Sequence, residues 1–289
     1  MRIAFLGLPL AACLLVQDGH EFALACLSRD MPGKRRLQRL IGEDRVLLRP
    51  SLDEALLERV RRAKPDLVVS WFWTNRIPMA LVEAAPLGGF GVHPSLLPRH
   101  RGADPTYWAI LLGDAVTGVT AHRLAAAYDT GAILDRETLA IDTRWDAMDL
   151  SRALDRPSLR LLRRTAARFA SGETLVEEAQ DEALATAAPR PDDDDQWIRW
   201  NAPTDAVLRQ IRALAPSPGA VTEIGDEMIV VLKATATSAP SAIETPGEAL
   251  LLAGHPVVRT ADGAVRIDLA ELDGDVLEGD DWEPVFPLQ

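Results

Sequence analysis

The sequence is poor in cysteine, in long apolar runs and in positive charge toward its C-terminus, and each shortage removes a class of protein. Among 289 residues only Cys13 and Cys26 occur, one in an apolar helical pattern and one in an apolar strand pattern. Neither a disulfide framework nor a zinc spacing can be drawn from them. The apolar stretch from Ile3 to Val16, with Leu24, Ala25 and Cys26 beyond it, imitates an export signal and its cleavage site. Asp18, Gly19, His20 and Glu21 interrupt it where such a signal stays apolar. No other stretch is long enough to span a bilayer, so the expectation is a cytoplasmic protein with no membrane partner. A dinucleotide fingerprint is missing too: Gly7 is followed by Leu8 and Pro9, with no second glycine, which disfavours a nicotinamide enzyme.

The formal charge of −12 is unevenly spread. From Arg190 to Gln289 there are 7 Lys and Arg against 19 Asp and Glu, which leaves 24 of each before that point. An acidic C-terminal part repels polyphosphate, so a large nucleic-acid partner is disfavoured and a small substrate expected.

What is present is an apolar fraction of 47%, enough for a buried core and for two domains. Alternating segments predict an α/β domain with a mostly parallel sheet. Strands are expected at Arg2 to Gly7, Glu21 to Ser28, Arg45 to Leu48, Asp66 to Ser70, Gly89 to Val92, Val116 to Arg123 and Ala132 to Ile141. Helices are expected after Pro9, from a cap at Ser51 through Lys64, after the pair Asp104 and Pro105, and from Asp146 close to Ser171 with a kink or break at Pro157. Glu173 to Asp195, with Pro189, Pro191 and four aspartates from Asp192, has linker composition. The expected division is a catalytic domain over 1–185, a linker over 186–196 and a small β-barrel over 197–289, opened by a helix from Thr204 to Leu214. Trp197, Trp200 and Trp282 are expected to pack in its core.

Strand ends in such a sheet open onto one crevice where ligands bind. One of them carries Gly91, Val92, His93, Pro94, Ser95, Leu96, Leu97, Pro98, Arg99, His100, Arg101 and Gly102. Downstream, Thr117, Gly118, Val119, Thr120 and His122 precede Asp129, Thr130 and Gly131, and Trp200, Gln210, Ile211, Arg212 and Pro216 through Ala220 form a third landmark. In these residues, spread over nearly the full chain, the sequence resembles the folate-dependent formyltransferases, in particular the methionyl-tRNA and amino-sugar enzymes.

The resemblance implies a Rossmann-like catalytic domain with an OB-like barrel, and 10-formyltetrahydrofolate as formyl donor. It makes His93 the acid/base group and Asp129 its partner. The folate pocket falls on Asn75, Arg76, Ile77 and Val82 and on Ala125, Ala127 and Tyr128, walled by Trp71, Phe72 and Trp73, while Ser95, Arg101 and Gly102 fall in the substrate-binding loop. The family's asparagine two residues before the histidine is Gly91 here. Asn75, Thr74 or a water could take its oxyanion role, or the chain could bind folate without turnover or hydrolyse the donor. The acceptor is expected to be an amine on a small molecule, a sugar nucleotide or an amino-acid derivative. The basic residues Lys34, Arg35, Arg36 and Arg39 make only a shortened version of the family's tRNA-contacting loop, so tRNA is disfavoured as a partner. His100, between Arg99 and Arg101, reads as solvent-facing, and no metal site is assigned.

Overall fold

The computed structural model describes residues 1–225 and 227–282; the last seven positions of the expected C-terminal domain lie outside them. Two compact units emerge. The first comprises Met1–Pro105, Val116–Ala140 and Ala153–Pro189, and the second Thr106–Ala115, Ile141–Arg152 and the chain from Arg190.

The first unit begins β1 (Arg2–Gly7), α1 (Pro9–Gln17), β2 (Glu21–Leu27), α2 (Lys34–Ile41), β3 (Val46–Leu48), α3 (Glu54–Ala63), β4 (Leu67–Trp71), α4 (Met79–Glu83) and β5 (Gly89–His93). After α5 (Pro105–Leu111), nearly all of which belongs to the second unit, come β6 (Val116–Arg123), β7 (Ile133–Ala140) and α6 (Ala147–Ala170), the last counted in the first unit from Ala153. The seven strands run in the order β3-β2-β1-β4-β5-β6-β7. The first five are mutually parallel, and β6 is antiparallel to both its neighbours.

Strand periodicity explains the layers. Ala4, Leu6, Leu24, Cys26 and Val68 point to one face and pack with Leu56, Leu57 and Val60 of α3 and with Leu81, Val82 and Ala85. On α6, Leu161, Leu162 and Ala166 are fully buried, and Phe169 stacks on Phe90 with ring centroids 5.6 Å apart. The indole nitrogen of Trp71 donates to Ser158 Oγ at 2.7 Å, tying the end of β4 to α6. The apolar run from Ile3 to Val16 is therefore β1 and α1, and among the described residues no helix is long and apolar enough to cross a membrane.

Several local expectations change. Asp53, not Ser51, caps α3, its carboxylate accepting the Leu56 amide at 3.0 Å; an aspartate at the position adjoining the first turn serves the exposed N–H groups directly. Pro157 lies inside α6, which continues through it. The stretch of apparent linker composition is hydrogen-bonded into the first unit: Glu178 exchanges two backbone bonds with Ile133, and Thr186 and Ala188 pair with Arg101. Backbone and side-chain hydrogen bonds hold it, and of its apolar residues only Leu175 and Ala188 are buried, so its composition conceals it.

In the second unit, Asp192 caps α7 (Asp193–Gln196) through a reciprocal bond pair with Asp195. Next comes α8 (Thr204–Leu214), at the expected bounds. Its buried Gln210 accepts from the Arg199 amide and donates to the carbonyls of Asp195 and Trp197. Strands β8 (Ala220–Ile224), β9 (Glu227–Thr237), β10 (Ala249–Leu252), β11 (His255–Arg259), β12 (Ala264–Leu272) and β13 (Asp275–Leu277) form one antiparallel sheet. Register shifts near Leu269 coil the long β9–β12 ladder, as bulges do. Trp282 is buried, Trp200 donates to Thr222 Oγ1, and Trp197 remains exposed, so one of the three tryptophans is not core.

Candidate active site

The strand order reverses beside β1, whose neighbours are β2 and β4. Gly7 ends β1 there with φ +151°, and a Cβ on it would stand 1.9 Å from the Trp71 carbonyl oxygen. Glycine is required by this close approach, while Leu8 N–H bonds that same carbonyl. Along the same edge β5 ends in His93, and the chain turns into a loop braced from within. Ser95 Oγ donates to the Arg99 carbonyl at 2.7 Å, and Thr120 Oγ1 donates to the Ser95 carbonyl and accepts from Leu97 N–H. Ser95, expected in the substrate loop, is fully buried and holds that loop's shape.

The loop returns beside His93. His100 is buried with φ +61°, not solvent-facing, and its carbonyl lies 2.7 Å from His93 Nε2. A carbonyl only accepts, so Nε2 carries the hydrogen and Nδ1 of neutral His93 is a lone pair. That Nδ1 is 3.5 Å from Asp129 Oδ2, which also accepts the Gly102 amide at 3.0 Å.

A second imidazole stands on the other side of the carboxylate. His122 Nε2 is 3.5 Å from Asp129 Oδ1, and His122 Nδ1 is 2.9 Å from the Arg123 carbonyl, so here too the outward nitrogen is the N–H and the inward one a lone pair. Both histidine–aspartate separations are longer than a hydrogen bond. A carboxylate thus sits between two inward lone pairs. Burial holds the His122 imidazole below its ordinary range, with His93 and Arg101 adding to that and Asp129 opposing it. The residue could have been found on sequence: it lies on the same strand face as Thr120, two residues on, and seven residues before Asp129.

Asp129 is itself posed by its neighbours. Its φ of +56° is left-handed, a conformation aspartate tolerates better than most residues. Gln180 Nε2 donates to the carbonyls of Asp129 and Gly131, and Gln180 Oε1 accepts from Arg101, which also pairs with Glu182. No pattern marked Gln180, a single glutamine in a polar stretch, yet it locks the aspartate turn to the arginine.

Gly91 pairs with His122 across β5 and β6. Its φ is not left-handed, and a Cβ would make ordinary contacts with Leu124 at 3.4 Å and with His122 Nε2 and Ser70 at 3.6 Å. The backbone does not demand glycine there. Of the residues expected to bind folate, Ile77 and Val82 are buried in the apolar cluster against which Trp73 and Leu124 pack, whereas Asn75, Arg76, Ala127 and Tyr128 are exposed and Ala125 is half-buried. Phe72 is exposed and set edge-on to Trp71, with centroids 4.6 Å apart. Among the described residues, no group of three or more His, Cys, Asp or Glu is arranged to hold a metal ion.

Comparison with known proteins gives this geometry its family. Residues 34–165 match the formyl transferase domain and residues 191–283 the formyl transferase C-terminal domain. The chain is 33% identical to the methionyl-tRNA formyltransferase of Citrifermentans bemidjiense, over 94% of this chain and 88% of that protein. It is 35% identical to the one of Phenylobacterium zucineum, over 95% and 93%. The fold is similar to that of an N-formyltransferase from Helicobacter canadensis crystallised with folinic acid and dTDP-3-aminofucose (TM-score 0.69, 16% identity, 92% and 97% covered). It is also similar to HypX from Aquifex aeolicus in complex with tetrahydrofolic acid (TM-score 0.68, 22% identity), covering 98% of this chain and 48% of that longer one.

These relatives overturn the expectation that tRNA is disfavoured. Proteins named for methionyl-tRNA share sequence with nearly the whole chain, acidic C-terminal part included. Net charge is a sum over the surface, whereas a polyanion needs only a local positive face, so the acidity of one segment was no argument. With matching domains in both units and such identity over so much of its length, the chain belongs to the formyl transferase family and is an enzyme of formyl-group transfer.

Proposed function

We propose that the chain moves a formyl group from 10-formyltetrahydrofolate to a primary amine, with Asp129, His93 and His122 acting together on the proton. The observation that carries this reading is the carboxylate held between two imidazoles whose outer nitrogens are committed to backbone carbonyls.

The donor supplies a formyl carbon that an amine can attack. The acceptor nitrogen then loses one proton, and the departing folate nitrogen gains one. Asp129 is the most exposed of the three side chains, at 17% against 7% for His93 and 6% for His122, which suits it to meet the acceptor amine and pass the proton inward. His93 Nδ1 and His122 Nε2 are the lone pairs that receive it. A protonated His122 would turn a donor toward position 91, where the family's asparagine amide is missing, just as negative charge builds on the formyl oxygen. Exposed Phe72 and Tyr128 and the apolar residues Ile77 and Val82 suit the donor's ring system. Arg101 and Gly102 serve by posing Asp129. The two buried free cysteines accord with a cytoplasmic setting.

The acceptor to assay first is the α-amino group of methionyl-tRNA, after the relatives' name; amino-sugar nucleotides come next, after the fold match. Incubating the protein with 10-formyltetrahydrofolate and each amine tests the reading. Formylated product supports it. Folate binding without product, or formate release alone, replaces it with a binding protein or a donor hydrolase. Gly91→Asn sharpens the assay. It should raise transfer by no more than the roughly hundredfold to thousandfold an oxyanion donor is worth, and a fall would mean that the space at position 91 serves a substrate group.

A further inference from the structure

At the opposite edge of the parallel sheet, where β1 and β2 begin and α3 ends, an open cleft of about 410 Å³ is lined by Arg2, Arg45, Arg59 and Arg62, with Ala23, Ala63 and Asp44. The volume is that of a small-ligand site. From the cleft to the end of β1 is the length of a six-residue strand, about 20 Å at 3.3 Å per residue, so no group bound here reaches His93 or Asp129.

Among the described residues, none of the four guanidinium groups forms an ion pair with a carboxylate. Elsewhere in the first unit arginines meet carboxylates: Arg101 at Glu182, Arg123 at Glu177, Arg136 at Glu178 and Arg163 at Asp18. Around the cleft none does among the described residues, although acids outnumber bases 43 to 31 in the sequence. Arg45 donates to the Phe22 carbonyl, Arg59 to the Asp44 carbonyl and Arg62 to the Glu58 carbonyl. Arg2 Nε is buried with no hydrogen-bond partner among the described residues. Backbone carbonyls fix the direction of these side chains but leave their charge. The C-terminal end of α3 offsets only about half an elementary charge, and Asp44 is the single acid in the lining. Each guanidinium has five N–H donors in a fork that fits a phosphoryl oxygen pair, so most donors here remain available.

We infer that this cleft is a binding site for phosphate esters, distinct from the formyl-transfer site and acting at a distance from it. The phosphates could belong to a free oligophosphate such as a nucleotide, or to the backbone of a tRNA substrate held at a second point. The chemistry is the same.

Calorimetric titration of the full chain with inorganic tripolyphosphate at low salt tests the site, and a filter-binding titration with uncharged tRNA separates the sources. Arg45 and Arg62 are exposed, so Arg45→Gln with Arg62→Gln should preserve the fold, which the thermal midpoint checks. The double variant is expected to weaken tripolyphosphate binding by at least about tenfold and to flatten its salt dependence. Asp44→Asn should tighten it. If tRNA affinity falls in parallel, the backbone uses the cleft; if it is unchanged, the natural ligand is a free oligophosphate. Absence of tripolyphosphate binding to the wild-type protein, or equal binding by the double variant, overturns the site. Because the readout is binding and not turnover, it stands or falls apart from formyl transfer.

Discussion

The two edges of one parallel sheet handle charge in opposite ways. At the edge where the strands end, Asp129 is set between His93 and His122 and receives the Gly102 amide, while Arg101 is paired with Glu182 and held by Gln180. At the edge where they begin, Arg2, Arg45, Arg59 and Arg62 converge with one acid among them. The difference follows depth. Groups that must hold or move a proton away from water need their partners built in, because an isolated buried charge is expensive. An open cleft can leave its countercharge to an incoming ligand.

His93→Ala is the strongest way to break this contrast. It should lower kcat by about a hundredfold to ten-thousandfold while folate binding survives, and a single-turnover assay beside a folate titration checks both. The arginine double variant should leave transfer to a small amine unchanged; a comparable loss there would erase the distinction between the edges.

His122→Asn comes next. The amide can still donate to the Arg123 carbonyl, but the inward lone pair is gone. Turnover is expected to drop by about tenfold to a hundredfold, less than for His93. The pH profile carries the sign. Burial depresses the His122 pKa, so the imidazole stays neutral as pH falls past the ordinary histidine value of about 6.5, and the base is lost only below its depressed pKa. The limb of the rate profile due to His122 should disappear in the variant. Stability should shift likewise: between the ordinary and the depressed pKa the unfolded chain binds the proton that the native imidazole resists, so the native state loses stability as pH falls. The asparagine variant should lose less. A rate profile superimposed on that of the wild type would reduce His122 to packing.

Gln180→Ala is the mildest change. It strips two donors from the carbonyls of Asp129 and Gly131 and an acceptor from Arg101, which should cost about 1–3 kcal/mol of stability. The Asp129 turn would loosen as well, raising KM for the amine more than it lowers kcat. Denaturant unfolding and steady-state kinetics together test this.

Much of the fold was legible because its signals are local. Continuous apolar segments mark β1, β2, β4 and β5, and helical spacing gave α8 its bounds, since a buried strand and an amphipathic helix each write their period into the sequence. Motif resemblance led to the expectation that His93 and Asp129 meet, and they stand 3.5 Å apart. The support that 178–188 gives the site was not legible, because isolated backbone bridges leave no compositional trace, and Gln180 went unmarked with it. His100 was misjudged for a related reason: flanking arginines suggested solvent, while its left-handed backbone turns it inward.

The sequence by itself indicated most strands and helices of the first unit, that two cysteines in apolar patterns offer no disulfide framework, and that the chain resembles enzymes of formyl transfer, since these rest on periodicity and short-range motifs. Only the tertiary structure decided that Asp129 has two imidazoles beside it rather than one, and that four arginines from separate elements share a cleft. Distances between residues far apart in the chain depend on strand order and register, and no local pattern encodes those.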